Sequence, residues 1–186
     1  MPQDAVDRRI ERTRRALVGA FNGLVLEGRR YDRITVADLI ARAGVGRSTF
    51  YEHYRNKDEV LAEAIRAPFE LLAASVETGV RVPALCEILR HFHENRVHAK
   101  VIFAGSARRK ISRVLARMLA DRLRARAKAN GATLPASAGI AAIELADGQL
   151  GTIAAWLAGE IAGDADRLAH ALSRTAQAVA RDLCAG

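Results

Sequence analysis

Apolar residues recur at helical spacing along almost the whole chain, and no long stretch alternates apolar and polar positions as a half-buried strand would. The first helix carries an apolar stripe formed by Val6, Ile10, Leu17, Phe21 and Leu24. Gly28 follows that stripe as a helix-ending residue. Further helices are predicted over residues 57–78, 83–94, 97–104, 107–129, 136–161 and 165–183. The pattern therefore predicts an all-α fold.

Residues 35–57 have the pattern of two short helices joined by a tight turn. Thr35 occupies the N-cap position of the first helix, and Asp38 stands three residues on, which is close to a capping box. Gly44 stands where a helix ends on a left-handed residue. This spacing is typical of a helix-turn-helix, which places its second helix in the major groove of DNA.

The second of these helices has an inward and an outward face. Phe50 and Tyr54 lie one turn apart and are expected to pack inward. The opposite face carries hydrogen-bond donors and an amphipathic ring that suit base edges and phosphates, namely Arg47, Ser48, Thr49 and Tyr51. Lys57 follows at the start of the next helix, capped by Asn56, where free N–H groups and a cation suit a phosphate.

The same segment resembles the DNA-binding signature of the tetracycline-repressor (TetR) family. The matching residues are Thr35, Leu39, Ala43, Gly44, Val45, Phe50, Tyr51, His53, Tyr54 and Lys57. Gly46 stands where the family usually has Ser, which removes one possible phosphate contact, and Ser48 stands where Gly or Pro is frequent. The resemblance in motif covers about residues 5–65. Beyond these residues, the resemblance to the family rests on the length and helicity of the chain.

The resemblance implies a three-helix DNA-binding domain at residues 1–57 and a helical effector-binding and dimerisation domain at residues 58–186. It implies a homodimer that binds double-stranded operator DNA, as a repressor released by a small molecule. The residues expected to contact DNA are Thr35, Arg47, Ser48, Thr49, Tyr51, His53, Tyr54 and Lys57. His53 is equally well explained as a packed, neutral histidine.

The last two helices are expected to form the dimer interface, because TetR-like proteins pair their two C-terminal helices in a four-helix bundle. Small and apolar residues at helical spacing allow close approach of helices. The expected interface residues are Ala141, Leu145, Gly148, Thr152, Ala155, Leu168, Leu172, Thr175 and Val179. The alternative is that both seams face the chain's own core.

An effector pocket is implied by the family resemblance, and the sequence offers large apolar candidates with few polar ones. The candidates are Phe69, Leu72, Leu89, His91, Phe92, Phe103, Met118, Gln149 and Trp156. Core packing explains each apolar residue equally well. The abundance of Ala, Leu and Val favours a hydrophobic effector. A constitutive or architectural DNA-binding protein without an effector remains the alternative function.

The net charge of +8 is concentrated in two blocks, the N-terminal domain and residues 105–128, which hold nine Lys and Arg against one Asp. The first block suits phosphate binding. In the second block, Ile111, Leu115 and Leu119 lie on an inward stripe. Its arginines are therefore interpreted as the solvated face of an amphipathic helix rather than as a second nucleic-acid site.

Other function classes find little support in the sequence. Cys86 and Cys184 lie far apart and form no Cys-x-x-Cys pair, so no disulfide framework or zinc site is indicated. The stripe of Glu87, His91, Glu94 and His98 suits a paired polar face better than a metal site. No catalytic constellation, cofactor motif, signal peptide or transmembrane span is recognised, which predicts a cytoplasmic protein that is not an enzyme.

Overall fold

A computed structural model of the protein describes residues 2–77, 82–103 and 105–184, and over these residues it contains helices and no strand. The helices are α1 (Pro2–Leu26), α2 (Val36–Ala43), α3 (Arg47–His53), α4 (Lys57–Ala64), α5 (Arg66–Ala73), α6 (Val82–Glu94), α7 (Arg96–Phe103), α8 (Gly105–Ala129), α9 (Ala138–Ala158) and α10 (Ala165–Cys184). The all-α prediction is confirmed. Residues 78–81 and 104, where two predicted helices end, and the side chain of Val6 lie outside the described residues.

The chain divides into two compact units, residues 1–66 and residues 67–186. The sequence pattern predicts a domain boundary after Lys57, whereas the first unit continues to Arg66. The reason is that α4 packs on α1 and buries Val60 and Leu61 in the core of the first unit.

The first unit is built around the apolar stripe of α1. Leu17 and Phe21 are fully buried, and α1 contacts both α2 and α4. Ile10, which the pattern places on the same stripe, is 38% exposed, so the buried part of the stripe begins farther along the helix. Gly28 has φ +81 and follows the last turn of α1, as its position in the sequence predicts.

The helix predicted over residues 57–78 is broken into α4 and α5, followed by a 3₁₀ turn at Ala74–Val76. The break falls at Ile65, three residues before Pro68. Proline lacks the N–H that would bond to the carbonyl of Ala64, and its ring crowds that same carbonyl. Pro68 therefore accounts for the position of the break.

The second unit is a helical bundle in which α8 packs against α9, and α10 packs against α6. Its core contains Leu85, Leu119, Leu150 and Ile153, all fully buried. The helix predicted to extend to residue 161 ends at Ala158, because Gly159 adopts the left-handed conformation and caps it. Among the described helices, none is both long and apolar enough to cross a membrane.

Candidate nucleic-acid interface

The first helix of the motif, α2, is fixed at both ends by local hydrogen bonds. The Asp38 amide donates to the Thr35 hydroxyl at 3.1 Å, and the Thr35 amide donates to the Asp38 carboxylate at 2.9 Å, which completes the predicted capping box. The Thr35 amide and hydroxyl, which both donate to the Asp38 carboxylate, and the Arg29 guanidinium at 2.8 Å lower the pKa of Asp38 to about 2. Gly44, at φ +64, caps the other end, as predicted. The residues that flank α2 therefore determine where this helix begins and where the turn into α3 starts.

The inward face of α3 is anchored by two aromatic side chains. Phe50 is fully buried and Tyr54 is 3% exposed, with their ring centroids 5.9 Å apart. Burial, together with the nearby carboxylate of Glu63, raises the pKa of Tyr54 to about 12. Tyr54 stands among the residues expected to contact DNA from the family resemblance, and that assignment is corrected here. A buried phenol that packs inside the unit has no surface to offer a ligand.

The outward face of α3 presents the side chains that the sequence singles out. Arg47 and Ser48 are exposed, Tyr51 is 48% exposed, and Thr49 and His53 are half-buried. The guanidinium carbon of Arg47 lies 5.7 Å from the centroid of the Tyr51 ring, within the range of a cation–π contact. This contact orients a long, flexible side chain along the helix before any ligand is bound. The face therefore combines an aligned guanidinium, two hydroxyls and a phenol.

Lys57 has partners within its own unit. Its ammonium group donates to the carbonyl oxygen of Tyr31 at 2.9 Å and to that of Ile34 at 2.6 Å, and it lies 4.6 Å from the Tyr31 ring centroid. The Tyr31 hydroxyl in turn bonds to Asp58, on α4. The phosphate contact expected of Lys57 is therefore joined by a structural role that the sequence did not indicate. Tyr31 was missed because its 3₁₀ turn has no helical periodicity.

Asn56 and Gly46 begin the two helices on either side of this site. The Asn56 side chain accepts from the amides of Asp58 and Glu59, at 2.9 and 3.2 Å, so the predicted cap of α4 is present. Gly46 caps α3 without a side-chain hydrogen bond. A Cβ at that position would meet the hydroxyls of Thr49 and Ser48 only at ordinary contact distance. The site therefore has room for the serine that the family usually places there.

Comparison with known proteins matches this segment to a family. The family described as "Bacterial regulatory proteins, tetR family" matches residues 25–64, which include α2, the turn and α3. A crystal structure of a TetR transcriptional regulator from Streptococcus agalactiae 2603V covers 94% of this chain and 98% of its own, with a TM-score of 0.57 and 25% identity. The chain is thus similar to TetR-family transcriptional regulators, and residues 25–64 carry the DNA-binding region of that family.

Two curated relatives are similar over shorter segments. The uncharacterised HTH-type transcriptional regulator YxbF of Bacillus subtilis (strain 168) is 43% identical over 61 residues, which are 33% of this chain and 16% of YxbF. The dhaKLM operon transcriptional activator DhaS of Lactococcus lactis subsp. lactis (strain IL1403) is 28% identical over 92 residues, or 49% of each chain. The chain therefore aligns with less than half the length of either relative.

The residues predicted for the dimer interface divide into an exposed and a buried set. A groove of about 300 Å³ between α9 and α10 is lined by Ala141, Gly148, Thr152, Thr175 and Val179 among others. Leu145, Leu168 and Leu172 are each only 6% exposed, so most of their surface packs within the chain. Ala155 is half-buried. Leu145 and Leu172 also line the groove, so the seam packs on the chain's own core at the leucines and is open along a surface of small and apolar residues.

The residues predicted for an effector pocket lie mainly in the packed core of the second unit. Phe69, Leu72, Leu89, Phe103, Gln149 and Trp156 are buried, Phe92 and Met118 are half-buried, and His91 is exposed. Phe92 and Phe103 form an edge-to-face pair with centroids 5.5 Å apart. The Trp156 indole donates to the carbonyl oxygen of Gly163 at 2.7 Å. Exposed His91 has no place in an enclosed pocket, and its assignment is corrected.

Gln149 is the one buried amide among these candidates. Its amide nitrogen donates to the Ser75 hydroxyl at 2.9 Å, and Ser75 donates to the Leu72 carbonyl at 2.5 Å. The Gln149 side-chain oxygen has no hydrogen-bond partner among the described residues, and neither does the buried Ser173 hydroxyl. A buried polar group without a partner carries a desolvation cost. These two oxygens, with the Nε of Arg126, are therefore the buried polar groups of this unit that retain hydrogen-bonding capacity.

The polar stripe of Glu87, His91, Glu94 and His98 is interrupted at Asn95, where α6 ends and α7 begins. Asn95 bonds to the His91 carbonyl at 3.0 Å. Within residues 2–77, 82–103 and 105–184, no three His, Cys, Asp or Glu side chains are grouped closely enough to hold a metal ion.

Cys86 and Cys184 are both buried free thiols. Burial and the neighbouring Asp166 carboxylate raise the pKa of the Cys86 thiol.

Proposed function

We propose that this chain acts as a homodimeric transcription regulator that binds operator DNA through the outward face of α3. The observation that carries the proposal is the division of α3 into two faces, with Phe50 and Tyr54 buried and Arg47, Ser48 and Tyr51 exposed. The buried rings fix the helix to its unit. The exposed guanidinium and hydroxyls can then bond to base edges and phosphates without rearrangement.

Dimerisation is the second part of the proposal. One helix-turn-helix contacts only a few base pairs, so twofold pairing is needed to recognise a near-palindromic operator with two half-sites. The groove between α9 and α10 supports such pairing, because Gly148 and Thr175 leave space for a partner helix to approach closely.

The test of DNA binding is selection by the purified protein from a pool of random duplexes. Enrichment of a twofold-symmetric sequence is the expected outcome. A pool that shows no enriched sequence after several rounds at moderate salt would contradict the proposal, because a specific regulator binds its site many times more tightly than unrelated DNA.

The third part of the proposal is a small hydrophobic effector bound within residues 67–186 that changes operator affinity. It is supported by the buried oxygens of Gln149 and Ser173, which have no hydrogen-bond partner among the described residues. A thermal-shift screen with apolar small molecules tests it, since a ligand that binds the folded state raises the melting temperature. A compound found in this screen must also change the affinity of the protein for operator DNA. The affinity of the protein for that compound must then change by the same factor when operator is bound.

A constitutive DNA-binding protein without an effector is the second candidate function. The specific observation in its favour is the burial of Phe69, Leu72 and Leu89, three central residues of the predicted pocket, within the packed core of the unit. The direction of regulation also has two candidates. The notion of a repressor comes from the family resemblance, whereas the relative DhaS is named an activator. A transcription assay with the selected operator placed upstream of a reporter decides between them.

A further inference from the structure

The basic residues of α8 fall into two groups that the sequence does not separate. The first group is bonded within the chain and includes Arg108, Arg122, Arg124 and Arg126, whose partners are the Asp147 carbonyl, Glu70 with Glu77, Asp121 and the Val76 carbonyl, respectively. These arginines tie α8 to neighbouring segments or to its own turns. Their charges are therefore largely satisfied by the fold.

The second group is the α8 cation row, which consists of Arg109, Arg113, Arg117 and Lys128. All four side chains are exposed, and none has an ion pair or hydrogen bond to another part of the chain that the structure describes. At about 100° per residue, the four positions fall within an arc of about 100° on one side of the helix. Arg109, Arg113 and Arg117 thus form a continuous strip of positive charge without a partner among the described residues, and Lys128 lies farther along, beyond the Asp121–Arg124 ion pair.

We propose that the α8 cation row is a second, sequence-independent contact for the phosphate backbone of duplex DNA. Steps of four residues advance by about 6 Å along a helix, so Arg109, Arg113 and Arg117 span about 12 Å. Over that length, a DNA duplex carries about seven phosphate charges. The row is opposite in charge to the backbone, and its three charges are close in number to the roughly three or four phosphates that one strand of the duplex carries over the same length.

The chemistry of the surrounding surface favours duplex DNA over other anionic partners. A protein partner would need apolar anchors, yet α8 contributes none of the exposed large hydrophobic side chains among the described residues. A single strand would need aromatic rings for base stacking, and α8 contains no aromatic residue. Arginine forks bond well to phosphate oxygens. Backbone phosphates of a duplex need neither apolar anchors nor aromatic rings.

The row also destabilises the isolated protein. Like charges one helical turn apart repel each other and weaken the helix, and Arg109, Arg113 and Arg117 form two such pairs. Bound phosphates would remove that repulsion and release condensed counterions. This contact goes beyond the proposed operator recognition, because it supplies affinity without sequence preference from a different structural unit.

The test replaces the three arginines together, as Arg109→Gln, Arg113→Gln and Arg117→Gln in the full-length chain. A matched control replaces three exposed arginines of α10, as Arg167→Gln, Arg174→Gln and Arg181→Gln. Both variants lose three positive charges from exposed helical positions, and glutamine keeps helix propensity high. Binding of a 30-bp duplex of unrelated sequence is measured by fluorescence anisotropy at several salt concentrations, with helicity checked by circular dichroism.

The α8 variant is expected to bind the duplex several-fold more weakly at low salt. Its slope of log affinity against log salt should fall by about 0.9 for each phosphate that the row no longer binds. The α10 control should keep the parent slope. Equal slopes in the α8 variant and the parent would overturn the proposal, and so would an equal reduction in both variants, which would reflect net charge alone. Unchanged DNA binding with weakened binding to polyglutamate would instead assign the row to an acidic protein. Operator selection by α3 is unaffected by any of these outcomes.

Discussion

The ammonium group of Lys57 donates a hydrogen bond of 2.6 Å to the carbonyl oxygen of Ile34, the residue directly before the N-cap of α2. The same ammonium bonds to Tyr31, so one side chain from the start of α4 holds the segment that leads into the helix-turn-helix. Lys57 thus acts on the position of α2, whatever contact it makes with DNA. Positioning of α2 and direct contact with a phosphate predict different results when Lys57 is replaced, and the difference can be measured.

Replacing Lys57 with Met keeps the length of the side chain and removes its charge and donors. We expect the free energy of unfolding to fall by about 1–3 kcal/mol, because hydrogen bonds to a charged group are removed. Operator affinity should fall as well. If the role is positional, the salt slope of DNA binding stays at the parent value. A slope reduced by about one, with no loss of stability, would instead assign Lys57 to a phosphate.

Replacing Tyr54 with Phe should leave operator affinity unchanged, because the phenol is buried inside the unit. The substitution should instead change the pH dependence of stability, and it should do so at alkaline pH. Burial raises the pKa of Tyr54 to about 12 from the ordinary value of 10, so the unfolded chain loses that proton first as pH rises. Stability is therefore lost between about pH 10 and 12, and the slope of that loss should be smaller in Tyr54→Phe. A clear drop in DNA affinity would restore Tyr54 to the interface.

Replacing Gly148 with Leu tests the dimer interface in the groove between α9 and α10. A Cβ at Gly148 meets no atom within 4 Å in the single chain, so the fold tolerates a side chain there, and the helix gains up to about 1 kcal/mol in propensity. The larger side chain should block close approach of a partner helix. Sedimentation should then show monomers with native helicity and weakened operator binding.

Gly139→Leu is the matched control for that experiment. Gly139 lies on the same helix, its Cβ position is equally open, and it is nine residues away, which places it about half a turn around the helix. This variant should remain dimeric. If Gly148→Leu also sediments as a dimer at the same concentrations, the partner does not occupy the groove.

The elements that the sequence predicted correctly are those determined by neighbouring residues. Thr35, Asp38 and Gly44 form their cap and turn through bonds within a few positions, so their spacing was sufficient. Pro68 breaks the helix predicted over residues 57–78 through a backbone effect that is equally local. The TetR resemblance predicted the helical fold of both units, and the TetR regulator structure that covers 94% of this chain agrees with that prediction.

The parts that could not be predicted depend on what lies opposite a side chain in space. Periodicity showed that Leu168 and Leu172 are apolar, but it could not tell whether their own chain or a partner covers them, and most of their surface is covered by the chain itself. A lysine stem can extend in several directions, so the inward bonds of Lys57 left no sequence signal. That Arg109 and Arg113 have no partner among the described residues likewise emerged only when the partners of the neighbouring arginines were known.

The most direct test of the account repeats operator selection with Arg47→Ala and compares the enriched sequences with those of the parent. Arg47 is the long donor at the start of α3, held beside Tyr51. The account predicts that the variant still enriches the same near-palindrome but loses base preference at one symmetric pair of positions, at a cost of about 1–3 kcal/mol for each. An identical sequence preference in parent and variant would contradict the claim that the outward face of α3 recognises DNA bases through Arg47.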